Sequence, residues 1–227
     1  MLRAYFVSKE VLKMKFTTKK LATMAMLAAA AYMMVFLIRI PVVLFLKYEP
    51  KDVAVTIGGF LFGPLASFLI SLVVSLVEMV TISDTGPIGG LMNLLSTCSF
   101  ACTAAFIYQK KRSLGGAILG LCAGSVVMVI VMLLWNWLIT PLYMEVPRKV
   151  VEGLLLPAFL PFNLFKAALN SILTMLLYKP LATALRKTGL LEQRPVTPQG
   201  SRTGMYLFMG ALLVTCVLLF LTLRGIL

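Results

Sequence analysis

Apolar residues run in blocks of about 20, separated by short polar clusters, along nearly the whole chain. A helix that crosses a bilayer needs about 20 such residues, so the pattern predicts a succession of membrane spans. Span one covers residues 21–40 and ends at Arg39 and Pro41. A loop over residues 41–52 contains Lys47-Tyr48-Glu49-Pro50-Lys51-Asp52. Span two, residues 53–62, is short and is broken by Gly63-Pro64. That dipeptide suits a tight reversal, with Pro64 opening the next helix. Span three runs over 64–82 to Ser83-Asp84-Thr85-Gly86-Pro87, and span four over 88–108 to Lys110-Lys111-Arg112. Span five covers 114–139 and is expected to stop before Pro141. A polar stretch over 143–152 leads into span six, 154–178, and a hydrophilic linker over 179–203 precedes a last apolar run, 205–223.

The expected fold is therefore an all-α integral membrane protein. It divides into a basic amino-terminal segment (1–18), a six-helix membrane domain (19–188), a linker (189–204) and one additional transmembrane helix (205–227). Composition agrees: 60% of the 227 residues are hydrophobic and 13% charged, with a mean hydropathy of +0.98. Soluble domains carry about 25% charged residues, so no ordinary cytosolic domain fits. The apolar stretch after the basic amino terminus runs past the 7–15 residues of a signal-peptide core, which makes it an uncleaved span.

The net charge of +13 could suggest nucleic acid, but the basic residues fall between apolar blocks. They set topology instead. With the amino terminus in the cytoplasm, 14 basic residues lie in inner segments and six in outer ones, namely Arg39, Lys47, Lys51, Arg148, Lys149 and Arg224. Lys166 alone remains inside a span.

That orientation gives the intramembrane polar residues comparable depths. Each ionisable group in a span costs roughly 2.5–3.5 kcal/mol at the helix centre, so each requires a reason. Glu78, Asn93, Asn136, Asn163 and Lys166 come from four different spans, yet all fall in the outer half of the bilayer. Asn163, Lys166, Asn170 and Thr174 share one face of span six. In a purely structural role these asparagines would join helices, and Lys166 would snorkel or pair with Glu78. Together, the five residues point to an outward-opening pocket. Carboxamides offer donor and acceptor, and a lysine offers donors only, which suits a neutral polar heterocycle bearing carbonyls. Trp135, Trp137 and Phe162 are candidate apolar walls, or belt anchors at the interface.

Other chemistry is poorly served. The chain has no histidine, no phosphate-binding G-x-x-x-x-G-K-[ST] loop, and only Glu78 as an in-span carboxylate. No catalytic pair or metal site follows, and the protein reads as no enzyme. Cys98, Cys102, Cys122 and Cys216 lie in apolar stretches as small packing residues. Ala25 and Ala29 form a small-x-x-x-small pair, and Gly116, Gly120 and Gly124 a ladder, both suited to close helix approach.

Several segments together resemble the riboflavin-specific S components of energy-coupling-factor (ECF) vitamin transporters. They are Leu46-Lys47-Tyr48-Glu49-Pro50-Lys51-Asp52, Phe62-Gly63-Pro64, Gly86-Pro87 with Asn93, Asn136 with Pro141 and Tyr143, and Leu160-Pro161-Phe162-Asn163-Leu164-Phe165-Lys166. The last is the most discriminating, because Pro-Phe-Asn-x-x-Lys inside a span is costly. The resemblance covers residues 15–188. It implies a six-helix cell-membrane protein that binds riboflavin from outside and carries no cofactor of its own. It also implies partnership with a transmembrane coupling subunit and two cytoplasmic ATPase subunits, which supply the energy. Asn136, Asn163 and Lys166 are the implied flavin contacts, with Asn93, Tyr48 and Glu78 as further ligand-binding candidates. The Tyr48-Glu49-Pro50 loop is the expected gate, and the Ala25/Ala29 surface the expected contact with the coupling subunit. Glu49 stands where the family pattern has Asp, and the last apolar run is extra. The competing readings are an S component for another vitamin or for flavin mononucleotide, and a ligand-free membrane scaffold.

Overall fold

The computed structural model describes residues 17–82, 86–191 and 203–223. Most of the expected amino-terminal segment, and most of the linker, lie outside them. Helix α1 (Thr18–Leu37) starts at Thr17, whose hydroxyl accepts from the Lys20 amide, and ends at Ile38. The chain then turns extended. Strands β1 (Ile40–Val43) and β2 (Leu46–Tyr48) pair antiparallel, with Ile40 opposite Tyr48 and Val43 opposite Leu46. The sequence pattern predicts a loop here. Pro41 and two valines favour extended backbone and disfavour helix, and Val42, Leu46 and Tyr48 are the buried side chains of the hairpin. Its turn holds Leu44 at φ 50, a left-handed conformation that is costly for leucine.

Helix α2 (Lys51–Phe62) is buried over residues 51–60, with α1, α3, α4 and α7 around it. At only 12 residues it occupies the middle of the bundle rather than its surface. Gly63 at φ 100 makes the expected reversal, and Pro64 opens α3 (Pro64–Thr81). Helix α4 (Gly86–Lys110) pairs with α5 (Leu114–Met144) along most of its length. The glycine ladder is part of that pairing, with Gly120 against the Ala104 carbonyl and Gly124 against that of Phe100.

Helix α5 does not stop before Pro141. It continues to Met144 and ends where Glu145 adopts φ 55. A proline in a long, packed membrane helix removes one backbone bond, which its neighbours tolerate. The stretch read as polar loop is largely helical too. Helix α6 (Arg148–Leu154) passes through a π-helical turn (Leu155–Phe159) into α7 (Leu160–Lys187). Pro157 lies within that turn and Pro161 just beyond it, and the Leu160 amide reaches back five residues to the Leu155 carbonyl. Helix α7 also runs past Pro180, nine residues beyond the expected end of span six. A last helix, α8 (Thr203–Leu223), packs along α7 and touches β1.

Among the described residues five helical segments are long and apolar enough to cross a membrane: Thr18–Leu37, Pro64–Thr81, Gly86–Lys110, Leu114–Met144 and Arg148–Lys187. Leucines and valines on their outer faces are widely exposed, as lipid-facing positions are.

Candidate ligand-binding site

The hairpin covers one end of the bundle and leaves a hollow of about 290 Å³ beneath it. The ends of α1 and α3 and the starts of α4 and α7 complete the wall, together with α5. Its polar side chains include Glu49, Glu78, Asn93, Ser96, Asn163 and Lys166. Phe45, Met92, Met132, Tyr143 and Phe162 supply apolar surface. Such a mixture, apolar walls with few fixed polar groups, is what small-molecule sites have in common.

Two charge networks hold the polar side. In the first, Glu49 accepts from Arg39 Nε at 3.1 Å and lies 3.3 Å from Lys51 Nζ. Lys51 also pairs with Glu78, and Asn93 Nδ2 donates to Glu78 Oε2 at 3.2 Å. In the second, Lys166 Nζ lies 3.3 Å from Asp52 Oδ2 and donates to Ser96 Oγ at 3.2 Å. Asp52 further accepts from Thr97 Oγ1 at 2.6 Å and Asn170 Nδ2 at 3.0 Å. Asn170 Oδ1 in turn accepts from the Tyr48 hydroxyl at 2.9 Å. Burial first, and the Asp52 carboxylate second, raise the Tyr48 pKa, so the phenol stays protonated and donates.

Arg39, Lys51 and Lys166 are paired with Glu49, Asp52 and Glu78, and Lys47 adds a further cation to the cavity lining. Unpaired charges at this depth would cost several kcal/mol each. The pairing engages the buried carboxylates and cations around the cavity with one another.

The expected site residues separate into two groups. Glu78, Asn93, Asn163 and Lys166 meet at the cavity wall, and Glu49 joins them from the hairpin side. Asn136 is fully buried behind the wall, donating to the Met132 carbonyl at 2.7 Å and accepting from Thr140 Oγ1 at 2.9 Å. Tyr48, at the end of β2, and Pro50 after it are buried but do not line the cavity. Asn163 donates to the Phe159 carbonyl at 2.7 Å, across the π-helical turn. Trp137 bonds Glu152 at 3.1 Å and stacks under Arg148, away from the cavity. Ala25 and Ala29 are exposed on the outer face of α1.

Lys166 does not pair with Glu78. Its partner is Asp52, and Glu78 belongs to Lys51. Lys51 and Asp52, which hold these wall residues, are not among the site residues expected from sequence. Their one signal is two adjacent charges directly before an unbroken apolar helix.

A cavity lined by paired charges, amides and apolar side chains at one end of a membrane-spanning bundle defines a small-molecule-binding membrane protein. Residues 19–178 match the family model described as ECF transporter, substrate-specific component, and the chain belongs to that family. Its members are transporter substrate-binding components, not enzymes. The chain is 33% identical over 178 residues to the riboflavin transporter RibU of Staphylococcus aureus (strain TCH60), covering 74% of this chain and 93% of that protein. It is 24% identical to the riboflavin transporter FmnP of Bacillus subtilis (strain 168), covering 70% and 90%. A solved structure, described under "Structure and mechanism of the S component of a bacterial ECF transporter", superposes with a TM-score of 0.62 at 35% identity. That match covers 74% of this chain and 98% of the other. The fold expected from sequence, an all-helical multi-pass membrane protein of this family, holds; the hairpin is the addition.

Proposed function

We propose that the chain binds riboflavin from outside the cell and serves as the riboflavin-specific subunit of an ECF transporter. The observation that carries this reading is the cavity walled by Asn163 and Lys166, in a chain akin to riboflavin transporters. Lys166 offers ammonium protons beyond those engaged by Asp52 and Ser96, and a carbonyl of the flavin ring accepts one. Asn163 Oδ1, which accepts from no described residue, takes a ring N–H. Asn93 and Glu78 face the hydroxylated side chain, and Phe45, Tyr143 and Phe162 enclose the apolar body. Asn136 acts from behind, fixing the backbone at Met132. Glu49, Tyr48 and Pro50 close the site through the hairpin that they anchor.

The amino terminus lies in the cytoplasm and the hairpin faces outward, in keeping with the distribution of lysine and arginine. The exposed Ala25/Ala29 surface of α1 receives the transmembrane coupling subunit, and two cytoplasmic ATPases supply the energy. No cofactor takes part; riboflavin is the cargo.

Purified protein titrated with riboflavin tests the reading by quenching of flavin fluorescence. Saturable quenching supports it, and Lys166→Ala is expected to weaken binding about 5- to 150-fold, from loss of roughly 1–3 kcal/mol of buried hydrogen bonding. Colourless protein that does not quench added flavin overturns it.

A further inference from the structure

Helix α8 lies beyond the residues that match the family model, which end at 178, and nothing above gives it a role. Its inner face is specific. Met209 and Cys216 are buried, and Leu212, Leu219 and Phe220 pack with them into one apolar cluster. The same cluster holds Val42, Leu46 and Tyr48 of the hairpin, together with Phe162 of the cavity wall and Phe165. The opposite face, with Leu213, Val214, Val217 and Leu218, is exposed as a lipid-facing surface would be.

The contacts form a continuous line. The Phe220 ring lies 6.1 Å from that of Phe165, and Cys216 Sγ approaches the Phe165 carbonyl at 3.9 Å. On the other side of Phe165, the Tyr48 ring meets it edge-on at 5.8 Å. Tyr48 sits on β2, between Lys47 and Glu49 of the cavity wall, and its hydroxyl is held by Asn170. Phe165 is thus clamped between the last helix and the hairpin that covers the cavity. Lys166, the next residue, projects into the cavity itself.

We propose that α8 is a brace for the binding site: through Phe220 and Phe165 it positions Tyr48 and holds the hairpin closed, and so slows ligand release. Phe220 and Phe165 are positioning residues and touch no ligand. The reasoning is physical. A two-stranded hairpin is marginal on its own, and its closed position depends on what it packs against. A brace of this kind acts on the opening step, and therefore on dissociation more than on association.

This inference rests on the cavity being a ligand site, but its test has one arm that needs no ligand. The full-length protein is compared with Phe220→Ala, with Phe220→Tyr, which keeps the ring, and with Leu213→Ala on the exposed face of the same helix. Amide hydrogen exchange over residues 40–48 is expected to quicken in Phe220→Ala, while exchange over residues 116–128 of α5 stays as in the parent. Riboflavin release, followed by recovery of fluorescence, is expected to accelerate roughly 3- to 10-fold, with the association rate changed less than about twofold. Phe220→Tyr and Leu213→Ala should behave as the parent. Unchanged hairpin exchange in Phe220→Ala overturns the proposal, and so does faster exchange in every helix, which marks general loosening. Should Phe220→Ala not fold, Phe220→Leu is read by the same criteria. A parent protein that binds no riboflavin overturns the functional reading above and leaves the exchange arm to decide this one.

Discussion

Lys166 Nζ lies 3.3 Å from Asp52 Oδ2, a buried ion pair joining the middle helix of the bundle to the helix that carries the asparagine stripe. Asp52 is fully buried and accepts from Thr97 and Asn170 as well. Breaking such a pair from one side leaves a buried charge and costs about 3–5 kcal/mol. Replacing both ends by neutral groups is far milder. Asp52→Ala is therefore expected to lower the melting temperature of the detergent-purified protein sharply, because Lys166 loses its counter-ion. The combination Asp52→Asn with Lys166→Met should recover most of that loss while still binding flavin poorly. Melting curves for the three proteins check the ordering, and equal losses in the single and double variants would contradict it.

Lys51 and Glu78 allow a second ranking. Lys51 touches two carboxylates, Glu49 and Glu78, whereas Glu78 has one cationic partner among the described residues. Removing the lysine leaves Glu78 without a cationic partner among the described residues and beside Glu49, which keeps Arg39; removing the Glu78 charge leaves Lys51 its contact with Glu49. Lys51→Met should thus destabilise more than Glu78→Gln, by at least about 1–2 kcal/mol. Thermal unfolding of the apo protein reads this directly. The reverse order would show that desolvation of Lys51, rather than its attraction to the carboxylates, dominates the site.

These two pairs also mark how far the sequence could be read. Lys166 and Asn163 were legible because a charge and an amide inside an apolar run have no solvated explanation. Lys51 and Asp52 sit beside a polar loop, where charged residues ordinarily face water, and only tertiary packing buries them. The hairpin was hidden for a related reason: four residues of extended backbone after a span look like any short connection, and its burial comes from α7 and α8. Pro141 misled in the opposite sense. Local chemistry says that a helix should stop there, and the surrounding bundle carries it one turn further. Helix positions and the Gly63-Pro64 reversal were local or periodic properties, and so could be read. Partner identity in a charge network is a three-dimensional property. Glu78 and Lys166 therefore came out as neighbours at one wall with different partners.

The two asparagines of α5 and α7 should part company when replaced. Asn163 is at the cavity wall with its carbonyl oxygen free of described partners. Asn136 is satisfied within its own helix by Met132 and Thr140. Asn163→Ala is expected to weaken riboflavin binding about 5- to 30-fold, the loss of one buried hydrogen bond, with a small change in melting temperature. Asn136→Ala should mainly reduce stability, by about 1 kcal/mol, and leave affinity within roughly threefold. Titration and melting on the same preparations separate the two. A large affinity loss in Asn136→Ala would mean that its side chain turns into the cavity when ligand arrives.

Two glycines of α5, five residues apart, give opposite expectations from one geometric fact. A Cβ on Gly120 would meet the Ala104 carbonyl oxygen at 2.7 Å, and backbone cannot swing aside as a flexible side chain can. Helices α4 and α5 would have to separate along their whole shared face, so Gly120→Ala should cost about 1–3 kcal/mol, the usual penalty of overpacking. A Cβ on Gly115 meets nothing within 4 Å. Gly115→Ala adds helix propensity without a clash and should be neutral or stabilising by up to about 1 kcal/mol. Because α4 carries Asn93 and Ser96 to the cavity, Gly120→Ala should also weaken flavin binding through displaced wall residues, whereas Gly115→Ala should not. Unfolding and titration of both variants test the pair, and a Gly120→Ala protein as stable as the parent would show that the α4–α5 contact is looser than the backbone distance implies.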